Sequence, residues 1–204
     1  MQRLFFQLIG LIPVLYPAAA VLADSPPPSA DQAVIIFRED FQDSVVGQTS
    51  RSGHWTTSTE GSGAYIYWGV MNISPVEEPN MVFQGRGDHP WRGEWRSEPI
   101  DISDYRDVEI SIEVYSDIYS TPDDNCYIHF FYRIDGGDPV VWFCQTGDLN
   151  PRKAFVNKTS SPISGESLEV IIRASTELAI GEEYLFRDIR VSGRRSAGSP
   201  AGDE

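Results

Sequence analysis

Val108-Glu109-Ile110-Ser111-Ile112-Glu113-Val114 alternates apolar and polar side chains without a fault. Successive side chains of a strand point to opposite faces, so a two-residue period marks a strand with one buried and one wet face. Leu168-Glu169-Val170-Ile171-Ile172-Arg173-Ala174 does nearly the same. The segments 126–134 and 140–144 are aromatic and β-branched, and Asp135-Gly136-Gly137-Asp138 between them has the composition of a hairpin turn. Further strands are expected at 34–41, 64–70, 80–84, 94–100 and 184–191. No stretch sustains apolar residues at spacings of three and four, so helix is scarce, with one short turn at 101–105. Many short strands separated by Gly, Pro and Asp predict an all-β fold with little helix. The expected architecture is an antiparallel two-sheet β-sandwich of the jelly-roll kind.

The ends of the chain bear on the compartment. Arg3 precedes an apolar run from Leu4 to Leu15, and small residues follow up to Ala23. This is the pattern of a secretory signal peptide over 1–23. The run is shorter than the ~20 apolar residues a membrane span needs, and no second run follows. The reading is a secreted protein, extracellular or periplasmic, with no membrane insertion after cleavage. A proline-rich linker is expected at 24–33, the sandwich at 34–192, and a small, polar, disordered tail at 193–204. A formal charge of −14 repels nucleic acid and anionic lipid, which argues against both as partners. It suits divalent cations and neutral or cationic surfaces.

Cys126 and Cys144 are the two cysteines. In an oxidising compartment such a pair is expected to form one disulfide, here across the hairpin if a bulge or an odd loop sets the register. Within the hairpin's first strand, Cys126, Ile128, Phe130, Tyr132 and Ile134 share a core face. Tyr127, His129, Phe131 and Arg133 share the other. Rings offer flat apolar area to the C–H face of a sugar, while His and Arg donate to its hydroxyls. Either these four residues line a ligand groove, or a loop or the second sheet covers them. If 108–114 lies beside this strand, Glu109, Ser111 and Glu113 join the groove. Trp95 belongs to the core by alternation, whereas Trp91 stands among turn residues and is a candidate for exposed ligand contact.

Acidic residues cluster at both ends of the ordered unit: Glu39, Asp40 and Asp43, then Asp188. If the first and last strands are neighbours, Glu39, Asp40 and Asp188 could supply oxygen ligands to a structural calcium ion. Capped turns or pairing with Arg38 and Arg187 would use the same carboxylates otherwise.

Phe37-Arg38-Glu39-Asp40-Phe41 resembles the opening strand of extracellular jelly-roll modules. Trp95-Arg96-Ser97-Glu98-Pro99-Ile100-Asp101-Ile102-Ser103-Asp104-Tyr105 is similar to their middle segment, and Tyr184-Leu185-Phe186-Arg187-Asp188-Ile189-Arg190-Val191 to their closing strand. The group includes MAM-like domains and carbohydrate-binding modules of secreted and cell-surface proteins. The resemblance implies a structural calcium at Glu39, Asp40 and Asp188, with Arg187 departing from the pattern. It also implies a glycan or an extracellular protein as partner. Arg96-Ser97-Glu98 and Tyr127-Ile128-His129 resemble motifs of alginate-lyase sandwiches, but the closing Tyr-x-Lys-x-Gly motif of that family is missing. A nucleophile elbow, a phosphate loop and a zinc helix are also missing. The residues favour a secreted non-catalytic binding module, carbohydrate-binding or adhesive. A small polysaccharide lyase and a purely structural exported domain are the alternatives.

Overall fold

Two antiparallel sheets carry the chain. The computed structural model describes residues 32–60, 66–72, 79–85, 91–117, 127–147, 154–176 and 183–196, and among them there is no helix. The strands are β1 (Ala33–Glu39), β2 (Ser50–Arg51), β3 (Trp55–Glu60), β4 (Ile66–Asn72), β5 (Pro79–Gly85), β6 (Trp91–Ser97) and β7 (Ile100–Asp101). They continue with β8 (Tyr105–Asp117), β9 (Tyr127–Ile134), β10 (Val140–Thr146), β11 (Val156–Thr159), β12 (Ser167–Thr176) and β13 (Glu183–Arg195). One sheet runs β11-β8-β13-β5-β4, with β1 also on β13; we call it sheet A. The other, sheet B, runs β10-β9-β12-β6-β3-β2, with β7 also on β12. The expected sandwich is what forms.

The alternation read from the sequence sets the core. Val108, Ile110, Ile112 and Val114 of sheet A are fully buried, as are Leu168, Val170, Ile172 and Ala174 of sheet B. Each larger apolar side chain so placed contributes about 1.5–3 kcal/mol. An aromatic cluster joins the sheets: Phe41 meets Trp55, Trp95 and Phe186 edge-on at centroid distances of 5.8, 6.4 and 6.0 Å. Trp68 of β4 packs edge-on to Phe186 at 5.8 Å and reaches across to β6, where Gly93 leaves room for its indole.

β13 is the hub of sheet A. Its first part, Glu183–Phe186, pairs with β5, and its second part, from Ile189 onward, pairs with β1. β8 runs along its other side throughout. Where the partner changes, the register breaks between Arg187 and Arg190, and Asp188 takes a φ of 48°. This is a bulge with a non-glycine residue in the left-handed region, where Asp is better tolerated than most residues. β13 extends to Arg195, so the first residues of the expected tail are strand. The expected signal peptide, 1–23, lies outside the described residues.

Three other expectations change. β8 lies in sheet A and β9 in sheet B, so Glu109, Ser111 and Glu113 do not join the face of Tyr127 and His129. Glu113 pairs instead with Arg187, at 2.9 Å. Trp91 opens β6 opposite Thr176 rather than standing in a turn. Cys144 is a free, exposed thiol, so the expected disulfide with Cys126 is not formed. The hairpin register explains this. Asp135 and Gly136 both have positive φ, 50° and 70°, and Gly137 N–H donates to Ile134 C=O at 2.8 Å. The register beyond that turn, with its shift between Val141 and Phe143, sets Cys144 opposite His129 and Thr146 opposite Tyr127. Cys126 itself lies outside the described residues.

A Cβ at Gly93 would stand 1.7 Å from Trp68 Nε1, which no small shift relieves. Gly93→Ala is expected to lower stability by about 3 kcal/mol, read as a reduced urea midpoint with an unchanged slope.

Candidate functional site

The outward face of sheet B is built from the positions that the core leaves over. Because its strands pair in register, these positions form rows across neighbouring strands about 4.8 Å apart. One row runs Glu60, Arg92, Ser175, Tyr127, Thr146. The next runs Ser58, Glu94, Arg173, His129, Cys144, and the third runs Thr56, Arg96, Ile171, Phe131, Val141. Four of the residues singled out in sequence, Tyr127, His129, Phe131 and Arg133, therefore share one side of β9.

Along β9 the rings make a ladder. Tyr127 and His129 stack at 4.4 Å with 22° between planes, and His129 meets Phe131 at 6.2 Å and 64°. All three are half-buried. The guanidinium of Arg173 lies over Phe131, its carbon 4.7 Å from the ring centroid, a cation–π contact. Ile171, on the outward side, is fully buried without belonging to the core; Phe131 and Arg96 flank it in its row. Arg133 closes the far end of the ladder, paired with Glu169 at 2.8 Å.

Beside the ladder lies a cavity of about 510 Å³ lined by Ser58, Glu60, Arg92, Gly93, Glu94, Arg96, Tyr127 and Arg173. At its centre Glu94 accepts from Arg173 Nε at 2.8 Å and from Arg96 Nε at 3.1 Å. Burial alone would raise its carboxyl group, but the hydrogen bonds from Arg173 and Arg96 outweigh that and hold it below the usual range. Burial, and secondarily the charge of Arg173, push His129 below its ordinary value. The imidazole is thus neutral at neutral pH, with one nitrogen able to donate and the other to accept. Arg173, Glu94 and Arg92 were missed in sequence. The signal for them was the same alternation, since Arg92, Glu94 and Arg96 share one parity and Ile171 and Arg173 another.

The expected calcium ligands lie elsewhere. β1 and β13 do pair, with Glu39 opposite Ile189. Successive residues of a strand face opposite ways, and Glu39 points into the core. Its carboxylate accepts from Trp55 Nε1 at 3.0 Å and from Phe41 N–H at 2.8 Å. Asp40 accepts from Gln42 N–H at 3.1 Å and pairs with Arg38 at 3.4 Å. Asp188 accepts from Arg38 Nε at 3.0 Å and from Arg190 Nε at 2.9 Å. Glu39 is turned away from the other two, and where Asp40 and Asp188 border one cavity the Arg38 guanidinium lies between them. This donor set does not fit an ion. Among the described residues no group of three or more His, Cys, Asp or Glu is placed to hold a metal.

No family model matches the sequence, nor does any curated protein. Solved structures do match. The K3 cleaved adhesin domain of Lys-gingipain from Porphyromonas gingivalis W83 aligns with a TM-score of 0.56 at 10% identity, over 79% of this chain and 99% of that one. TmCBM61, solved in complex with β-1,4-galactotriose, aligns at 0.53 and 11% identity, over 77% of this chain and 95% of that one. The K1 cleaved adhesin domain of Lys-gingipain aligns at 0.55 and 11%, over 78% and 97%. The likeness is one of fold. The chain shares the β-sandwich of carbohydrate-binding modules and cleaved adhesin domains.

Two outcomes follow from the charges. An unfolded histidine titrates near 6.5, and folded His129 titrates lower. Between the two values the unfolded chain binds the extra proton, so stability present at pH 7–8 falls as pH drops through 6.5. Urea midpoints at pH 7.5 and 5.5 should differ more for the native chain than for His129→Gln. With arginines at Asp188, melting temperature should not move between calcium and EDTA, whereas Asp188→Asn should lower it under both conditions.

Proposed function

We propose that this chain is an exported, non-catalytic glycan-binding module whose ligand lies on the outward face of sheet B. The observation that carries the reading is the ladder Tyr127–His129–Phe131, half-exposed on a sheet face over which no strand lies among the described residues. Soluble domains seldom leave stacked rings at a surface without a use for them. A pyranose presents a flat patch of C–H groups and a rim of hydroxyls. The ladder supplies apolar ring surface for the first, and Ser58, Arg92, Arg96 and His129 supply donors and acceptors for the second.

The geometry suits binding more than turnover. The side chains stand on paired strands, so they are held in place before a ligand arrives and lose little freedom on contact. Glu109 and Glu113, two carboxylates on one face of β8, lie in sheet A, away from this face, and Glu113 is held by Arg187. Export rests on the N-terminal pattern over 1–23. The shared sandwich with TmCBM61, itself solved with a galactotriose, is consistent with a saccharide ligand.

A glycan array with the full chain tests this. Tyr127→Ala should weaken retention on the bound glycans about tenfold, the equivalent of roughly 1.4 kcal/mol lost from one ring contact, with the melting temperature little changed. Retention of no glycan, or a Tyr127→Ala variant that binds as the native chain does, would sink the proposal. Growth of unsaturated-uronate absorbance on a polyuronate would replace it with the lyase.

A further inference from the structure

We infer that the saccharide taken by this face is anionic, its carboxylate or sulfate group received by Arg92, Arg96 and Arg173; the inference rests on the glycan-binding reading above. The chain carries a formal charge of −14, yet the cavity beside the ladder reverses that sign. Arg92, Arg96 and Arg173 line it against Glu60 and Glu94. Glu94 is shared, one carboxylate between two guanidinium groups. Arg92 is exposed and forms no ion pair among the described residues, although Glu60 stands opposite it in the sheet. Positive charge is thus left over where a ligand would lie.

The arginines of two cavities on sheet A do not behave this way. The cavity of about 340 Å³ at the β1–β13 junction has Arg38 and Arg187 against Asp40, Glu113 and Asp188, and there each arginine is ion-paired. A third cavity, of about 260 Å³, holds Asp107 and Glu109 against Arg194. Of these three cavities, only the one on sheet B has more cations than acids in its lining.

The arginines are also held in position. Glu94 fixes Arg96 and Arg173 side by side, and Phe131 lies under the Arg173 guanidinium at 4.7 Å. Arg173 commits its Nε to Glu94, and a guanidinium has five N–H donors, so its terminal nitrogens keep donors for an incoming anion. A planar fork of that kind matches a carboxylate or sulfate oxygen pair better than a lone hydroxyl. The neutral state of His129 accords with a positive local field, since the charge of Arg173 is one of its causes. A neutral sugar needs none of this surplus.

Affinity electrophoresis of the full chain, through gels holding one polymer each, decides the matter. The probes are polygalacturonate and its carboxyl-reduced neutral form, then dextran sulfate and dextran. At least one anionic polymer should retard the chain tenfold more strongly than its neutral counterpart, and the retardation should weaken as salt rises. Retardation by polygalacturonate alone marks a carboxylate ligand, and by dextran sulfate alone a sulfate ligand. Arg96→Gln and Arg92→Gln should each cost about tenfold. Arg92 is exposed, so its variant remains informative if Arg96→Gln disturbs the fold. Arg194→Gln, the same change of charge on sheet A, should cost nothing. Equal retention by charged and neutral forms overturns the anionic inference and leaves glycan binding standing. A loss on Arg194→Gln equal to that on Arg92→Gln overturns it as well. Retention on no polymer, together with an empty glycan array, removes both readings.

Discussion

A buried carboxylate joins the two halves of this sandwich. The Glu39 side chain is fully enclosed, and its oxygens receive the Phe41 amide, the indole N–H of Trp55 and, at 3.4 Å, the Arg51 guanidinium. Glu39 ends β1 in sheet A, whereas Arg51 and Trp55 belong to β2 and β3 in sheet B. An acid with its charge partner and hydrogen bonds in place can be kept inside; one stripped of them is among the costliest defects a core can hold. The contact also turns the chain. Phe41 takes a φ of 59°, so that its ring drops into the cluster of Trp55, Trp95 and Phe186. The aromatic centre, and with it the spacing of the sheets, depends on that acid.

Sheet B can serve as a platform because its inner face is so firmly set. Ile172 and Ala174 face inward between Arg173 and its neighbours, and Ser97 Oγ accepts from Val170 N–H at 2.9 Å inside the sandwich. The outward residues inherit that rigidity. Rings on β9 and guanidinium groups on β6 and β12 form two adjoining stripes, one apolar and flat, the other charged. The arrangement divides the work of recognition by strand, with shape on one side and polarity on the other.

Much of this could be read from residue order. Strict alternation in 108–114 and near-alternation in 168–174 announced the sandwich, because a side-chain period of two admits no other buried surface. The same rule placed Tyr127, His129, Phe131 and Arg133 on one face. Register and sheet membership were not legible. Whether β8 neighbours β9 is a matter of long-range pairing that no local pattern encodes, and the register of β10 on β9, with its shift between Val141 and Phe143, sets Cys144 opposite His129 and not in the pairing expected for it. The acids at Glu39 and Asp188 were found as a cluster in sequence, but composition does not reveal which way a side chain points. One proved internal and the other the anion of an arginine pair. Arg92 and Arg173 went unnoticed because charged residues on a wet face look ordinary until their neighbours across the sheet are known.

The place of β13 at the centre of sheet A has a consequence for how the chain acquires its shape. β1, β5 and β8 are all laid down earlier in the chain, and each finds its partner in this strand. Ala33 pairs with Arg194, from opposite ends of the described residues. Loops that long must close before any reward is collected, which slows folding. Until residues 183–195 are free to move, sheet A has flanks without a middle. Sheet A therefore cannot be completed until this one strand is available to its three neighbours.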